Sequence, residues 1–402
     1  MLSSRERILK AVRHEEADRI PLDLGGTDVS GIAIGPYTRL CHALNIDARP
    51  HYIVDIAQQV VVVQDQVADR IGTDAKVIWH LPAAWRDDQA YDQTAVKVPA
   101  GFQPVTLDNG DKVVLDKQGE ASLRMPAEGL YYDLCKHPLQ HIRNIREIDD
   151  YPEEFECMDR PPWYDMPLDE LEQTVKAIRA NNDRALIGCF AGHVFQAGQF
   201  LRGWSDFLMD LAGNPVMAEA IMDRLVQAHI QAFDRYAETV YQHVDIIEVC
   251  DDMGMQNTTW VSPQTYRSLI KPYHRRLYDH IKARTGLPIL MHSDGAIASL
   301  IPDFLDIGVD ILNPVQYTAG NMDLADLKRD FGADCCFWGG GIDTQNILPF
   351  GSPEQVSDEV KRCIDTLAPG GGFVFAFVHN ITEGAPLENI LAALEAAHTY
   401  GK

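Results

Sequence analysis

The chain has 402 residues, 46% of them hydrophobic and 23% charged, with a formal net charge of −24. That length fits one large barrel or two ordinary domains, and the composition excludes a disordered or low-complexity chain. The charge argues against nucleic acid and anionic membranes as main partners, because their phosphates would be repelled. The opening Met-Leu-Ser-Ser-Arg-Glu-Arg has no apolar signal core and no apolar run is long enough to span a bilayer. The eight cysteines form no C-x-x-C pair, so reduced thiols and a cytoplasmic location are expected.

Ser3-x-x-Glu6 is a capping box that opens a helix carrying Ile8, Leu9 and Val12 on one side. Arg19 to Gly26 reads as a short strand closing in a glycine turn. Residues 51 to 71 read as helical from Ile56, Val60, Val63 and Val67, and Ala75 to Trp79 as the next strand. From about 94 to 132 polar and apolar residues alternate, and Asn109-Gly110 is a hairpin signal, predicting an inserted antiparallel β-ribbon. Residues 134 to 170 read as irregular connection with short helices.

From 170 onward a strand and a helix alternate. The helices open at recognisable caps, such as Asn214-Pro215, Ser262-Pro263 and Ser352-Pro-Glu-Gln355. One of them is expected over Ile297 to Phe304. Strands near 22, 77, 187, 248, 290, 311, 337 and 375 make eight βα units. The expected fold is therefore α/β, a single (β/α)8 TIM barrel over 1–402 with the ribbon inserted.

In such a barrel, chemistry gathers where the strands end. The apolar run Pro288 to Met291 delivers His292 and Asp294, at alternate positions on one face, before Gly295 turns the chain. His379 follows the last strand. His292, Asp294 and His379 are the candidate metal ligands, with Asp252, Glu248 or Cys250 as alternates. Two imidazoles and a carboxylate suit zinc or another first-row ion and leave a position open. The competing reading is that these residues only hydrogen-bond one another and cap helices. Asp252, Glu248 and Gln256, after the fourth strand, are the candidate catalytic residues. Asp23, His193, Arg202, Asn313 and Gln316, past other strands, are candidates for substrate binding. Cys335 and Cys336 alternate in direction and read as packing. Gly339-Gly-Gly341 is not a phosphate loop, since no Gly-Lys-Ser/Thr follows. His14, His42, His274, His280 and His398 read as surface residues of helices.

Several segments together resemble the uroporphyrinogen decarboxylase superfamily, specifically its branch of metal-dependent, corrinoid-linked methyltransferases. They are Arg5-Glu-Arg…Asp18-Arg-Ile-Pro21, Leu201-Arg-Gly203, Asp251-Asp-x-Gly…Gln256, Ser262-Pro263, His292-Ser-Asp-Gly295, Asn313-Pro-Val-Gln316, Gly340-Gly-Ile-Asp343 and Gly371-Gly-Phe…His379-Asn-Ile381…Asn389. Porphyrinogen decarboxylases carry an arginine-rich segment near the amino terminus. Here Leu22-Asp-Leu-Gly-Gly-Thr-Asp28 has none. Thiol-methylating members bind zinc through His-x-Cys and a later Cys. By resemblance His292 takes the His position, Asp294 the first Cys position, and His379 falls near the second. Harder ligands leave a metal more Lewis-acidic and less suited to a thiol.

The resemblance thus implies a zinc-dependent methyltransferase that moves a methyl group from a small O- or N-methylated substrate to cobalamin. No Asp-x-His-x-x-Gly signature of a corrinoid module is present, so the cobalamin is expected on a separate protein. A homodimer is a further possibility. The alternatives are a decarboxylase or lyase, for which Arg202 or Arg86 would grip the carboxylate, a thiol or folate methyltransferase, and a non-catalytic binding barrel.

Overall fold

The computed structural model describes residues 2–116, 118–156 and 163–402. Seven parallel strands form one sheet in the spatial order Phe373–Val374, Cys336–Trp338, Ile311–Asn313, Ile289–His292, Ile246–Cys250, Ala185–Ala191, Ala75–Ile78. Residues 21–24 fill the gap between its two edges. On one side Phe375 N donates to Pro21 O at 2.9 Å and Asp23 N to Phe375 O at 2.8 Å; on the other, Asp74 N donates to Leu22 O at 2.7 Å. Hydrogen bonds on both flanks make this stretch the eighth stave, and the sheet closes as a barrel.

Side-chain alternation sets what fills the barrel. Ala185, Ile187, Ile246, Leu290, Ile311, Cys336, Trp338 and Val374 form one buried cluster inside it, while Cys335 joins the larger cluster under the helices. The opening helix Ser4–Val12, with its capping box formed, adds Ile8 and Ala11 to the interior cluster. Its Arg7 and the neighbouring Arg19 both grip the buried Asp74, at 2.6 Å each. This helix closes the amino-terminal end with apolar side chains. The polar residues further along the same inward rows emerge at the carboxyl end.

Three sequence readings are corrected. Residues 51–71 are not one helix: His51–Asp55 and Val60–Val61 are strands, and only Asp65–Ile71 is helical. The apolar spacing there is met instead by a turn at Gln59, with φ 56°, and by pairing of His51–Asp55 with Ala95–Pro99, an override of local periodicity by tertiary partners. The strands of 94–134 do not make a single ribbon. Ala95–Pro99 joins a sheet with His51–Asp55, Val60–Val61 and Trp85–Gln89. Val105–Thr106, Lys112–Leu115, Ala121–Met125 and Asp133–Leu134 form another. Pro104, which has no N–H to donate, separates the two. The helix near 297–304 is a 3-10 turn, Ala298–Leu300, followed by Ile301–Asp306. Among the described residues no helix is long and apolar enough to cross a membrane.

Candidate metal centre

Strand Ile289–His292 is buried along its length, and His292, two residues beyond the interior Leu290, points into the barrel at its carboxyl end. The turn that follows needs glycine. Gly295 has φ 86°, and a Cβ there would stand 2.6 Å from the Gly254 carbonyl carbon. His292 is 5% exposed. Its Nδ1 lies 2.9 Å from Asn313 Oδ1, and Asn313 Nδ2 donates to the Trp338 carbonyl at 3.1 Å. Because that carbonyl can only accept, it orients the amide, and the amide oxygen in turn places a proton on Nδ1. The lone pair of Nε2 is then free to face the mouth, the arrangement metal-binding histidines use.

Around Nε2 stand Asp252 Oδ1 at 3.6 Å and Asp294 Oδ2 at 4.0 Å. His379 Nε2 is 3.7 Å from Asp294 Oδ2. One ligand atom from each of His292, Asp294 and His379 lies within 4.8 Å of the others. A tetrahedral zinc with bonds of about 2.0–2.1 Å has ligand–ligand edges of about 3.3 Å, so side-chain movements of under about 1 Å each bring the three into range. The donor set fits a divalent first-row cation. Burial opposes charge on His292, but Asp294, Asp252, Asn313 and Asp28 outweigh it and raise its pKa. His379 is placed by its neighbour Asn380, whose Oδ1 accepts from Gly31 N at 2.6 Å.

The adjacent aspartates after Ile246–Cys250 do different work. Asp251 is fully buried and accepts from Val194 N, Phe195 N and Gln196 N, at 2.9, 2.7 and 2.7 Å, and from His274 Nε2 at 2.7 Å. Burial pushes its pKa up, and these donors pull it below the usual carboxylate range. It anchors the start of helix Phe195–Arg202. His274 is therefore not the surface residue its helix suggested. Asp252 faces the mouth, accepting from Asp294 N at 3.0 Å and Gln196 Nε2 at 2.9 Å.

Deeper in the mouth is a layer of carboxylates. Glu248 is 0% exposed, and both its oxygens lie 3.1 Å from the single N–H of Asp28. Burial, then the charge of Asp28, pushes the Glu248 pKa well up, and burial with Asp55 nearby lifts Asp28 to about 7. Burial also raises Asp55, whose carboxylate accepts from Gln58 N at 3.1 Å. Asp23 accepts from Trp338 Nε1 at 2.7 Å and Gly26 N at 2.7 Å, and burial lifts it to about 6. Among the described residues, no lysine or arginine is a leading influence on Asp28, Asp55 or Glu248. Burial, followed by Glu248 and Asp28, keeps the Cys250 thiol neutral, which disfavours it as a metal ligand.

The other candidates divide. Asn313 orients His292. Gln316 Oε1 accepts from Gly295 N at 2.8 Å and supports the turn, while the exposed Gln256 ties Gln316 to the Thr318 carbonyl at the rim. Burial lowers the pKa of His193, against the pull of Asp251 and Asp252, so it is a neutral imidazole next to the site. Arg202 is not gathered at the mouth. Its guanidinium is held by Asp210 at 2.7 Å and by the carbonyls of Leu139, Gln140 and Ile142. Arg86 is bound to Asp88 and the Phe102 carbonyl. Sequence reasoning missed Asp28 and Asp55. The first sits just after the Gly25-Gly26 turn, a signal that was available. The second was hidden by the helical reading of its segment.

Comparison with known proteins gives these arrangements a context. A family model described as uroporphyrinogen decarboxylase (URO-D) matches residues 140–400. A methylated-thiol–coenzyme M methyltransferase of Methanosarcina mazei is 28% identical over 144 residues, 35% of this chain and 34% of that protein. Uroporphyrinogen decarboxylase of Anaeromyxobacter dehalogenans is 23% identical over 241 residues, 56% of this chain and 62% of its own. The chain thus spans about a third of the first relative and three fifths of the second. A solved methyltransferase from Methanosarcina mazei shares the fold, with a TM-score of 0.62 at 15% identity, covering 100% of this chain and 99% of that one. The family match takes in six of the seven strands of the parallel sheet together with His292, Asp294 and His379, and on that basis the chain belongs to the uroporphyrinogen decarboxylase family.

Proposed function

We propose that this protein is a metal-dependent methyltransferase that removes a methyl group from a small O- or N-methylated substrate and delivers it to a corrinoid carried by a separate protein. The observation that carries the reading is the His292–Asn313–Trp338 relay, which turns Nε2 of His292 toward Asp294 and His379. His292, Asp294 and His379 would hold the cation, zinc by the chemistry of the donors. When bound, it supplies Lewis acidity toward the heteroatom that carries the methyl group.

The chain's own groups do the rest. Asp252, held by Gln196 and the Asp294 backbone, orients the substrate beside His292. As the methyl leaves, its heteroatom needs a proton. The Glu248–Asp28 pair holds one near neutral pH, because two close carboxylates, one fully and one partly buried, cannot both ionise readily. Asp23 lies below them as a fixed acceptor for Trp338. The decarboxylase alternative loses both arginines offered for its cationic grip, since Arg202 and Arg86 are engaged elsewhere.

The test is metal content of purified wild type, His292→Ala and His379→Ala, together with methyl transfer to cob(I)alamin from methyl ethers and methylamines. About one metal per chain, absent from both folded variants, with transfer from at least one substrate, is the expected result. Wild type that holds no metal and takes none up when it is offered overturns the reading.

A further inference from the structure

A partly open cavity of about 290 Å³ lies between the two four-stranded sheets of residues 51–134. None of His292, Asp294, His379, Glu248 or Asp28 lines it. Its lining is mixed: Ile53, Val96, Val98 and Met125 give it an apolar part, beside polar groups such as Gln59, Gln89 and Thr106, and the rings of Phe102 and Tyr132 are set edge to face at 5.5 Å. Such packed sheets ordinarily fill the space between them with side chains. Here the space is left open.

The cavity's charges are unequal. Arg86 and Asp88, on one wall, neutralise each other at 2.8 Å. Lys112 stands opposite Thr106 on one neighbouring strand and Met125 on the other, both of which line the same space. Lys112 has no carboxylate partner among the described residues. In a chain of net charge −24, an ammonium without a carboxylate partner at the wall of a cavity is a local reversal of the field. The Tyr132 hydroxyl likewise has no hydrogen-bond partner among the described residues. Burial, then Asp88, lifts its pKa to about 12, so it remains a donor. A cation and a neutral donor beside aromatic and aliphatic side chains suit an anion with an apolar body. At interior packing density the volume holds roughly ten to twelve non-hydrogen atoms.

We propose that this cavity binds a small carboxylate with an aromatic body, its charge on Lys112 and its ring between Phe102 and Val98. The site is independent of the metal centre. It borders the mouth through the stretch Ile53 to Gln59, which includes Asp55.

Isothermal titration with benzoate and phenylacetate, with benzamide as the uncharged counterpart of benzoate, tests the assignment. The variants are Lys112→Met, which keeps the apolar stem, and Thr106→Trp, at an exposed lining position, which obstructs the space. At least one carboxylate should bind wild type and His292→Ala equally, and benzamide should bind more weakly than benzoate. Lys112→Met should weaken binding by roughly tenfold or more, the loss expected for a charge-assisted hydrogen bond, and Thr106→Trp should do the same. Neither carboxylate binding at about 10 mM, binding indifferent to both substitutions, or binding lost in His292→Ala would each overturn the proposal, the last by placing the ligand in the barrel mouth.

Discussion

Asn313→Leu separates a metal-binding role for His292 from a merely structural one. Leucine keeps the branched outline of asparagine, with bulkier methyl groups, but cannot accept from His292 Nδ1, now 2.9 Å from Asn313 Oδ1, nor donate to the Trp338 carbonyl at 3.1 Å. Two consequences follow, of different size. The buried carbonyl loses its partner, which costs about 1–3 kcal/mol of stability. The imidazole loses the group that fixes its tautomer and orientation, which for metal-bound histidines lowers affinity about 10- to 100-fold, or about 1.4–2.7 kcal/mol. None of the three ligands is changed. The assay is zinc affinity by competition with a chromophoric chelator, on wild type and variant, with urea unfolding of the metal-free proteins alongside. We expect weaker zinc binding by at least tenfold in a variant that is still folded. Wild-type affinity in the variant, with the stability loss present, would refute the argument that Asn313 presents His292 to a metal.

Two further outcomes follow from the geometry. Arg202→Met should leave Asp210 and three carbonyls without their cation, lowering urea stability by about 3–5 kcal/mol while metal content stays at the wild-type level. Lost metal with unchanged stability would return Arg202 to the site. Asp23 is raised from 3.8 to about 6 by burial, so between those values the native state holds a proton that the unfolded chain has released. Its contribution to stability is therefore largest in acid and falls as pH rises through that window, by up to about 3 kcal/mol. The stability difference between wild type and Asp23→Asn should shift against wild type by that order from about pH 4 to about pH 7. A difference that does not vary with pH would contradict the raised pKa that burial gives Asp23.

The sequence by itself determined whatever rests on short-range pattern. Ser3 with Glu6 and Ser352 with Gln355 cap their helices as read, because a capping box is completed within four residues. Alternation along a buried strand put His292 on the inward row, and one more step of two brought Asp294 to the same mouth. The count of eight strands held even for Leu22, whose stave is too short to be more than a single bridge to Phe375.

Closure of the barrel decided the rest. The N–H of Asp28 meets Glu248 across 220 positions of chain, and no periodicity encodes such a pairing. Arg202 reads from its place after a strand like a substrate grip, yet the chain folds Asp210 and the 139–142 carbonyls around it. His274 reads as exposed because its helix is polar, and becomes buried because Asp251 needs a donor there. In each case the side chain's chemistry is local, but what satisfies its charge or hydrogen bonds is supplied by residues distant in sequence, and only the folded chain brings them within 3 Å or so.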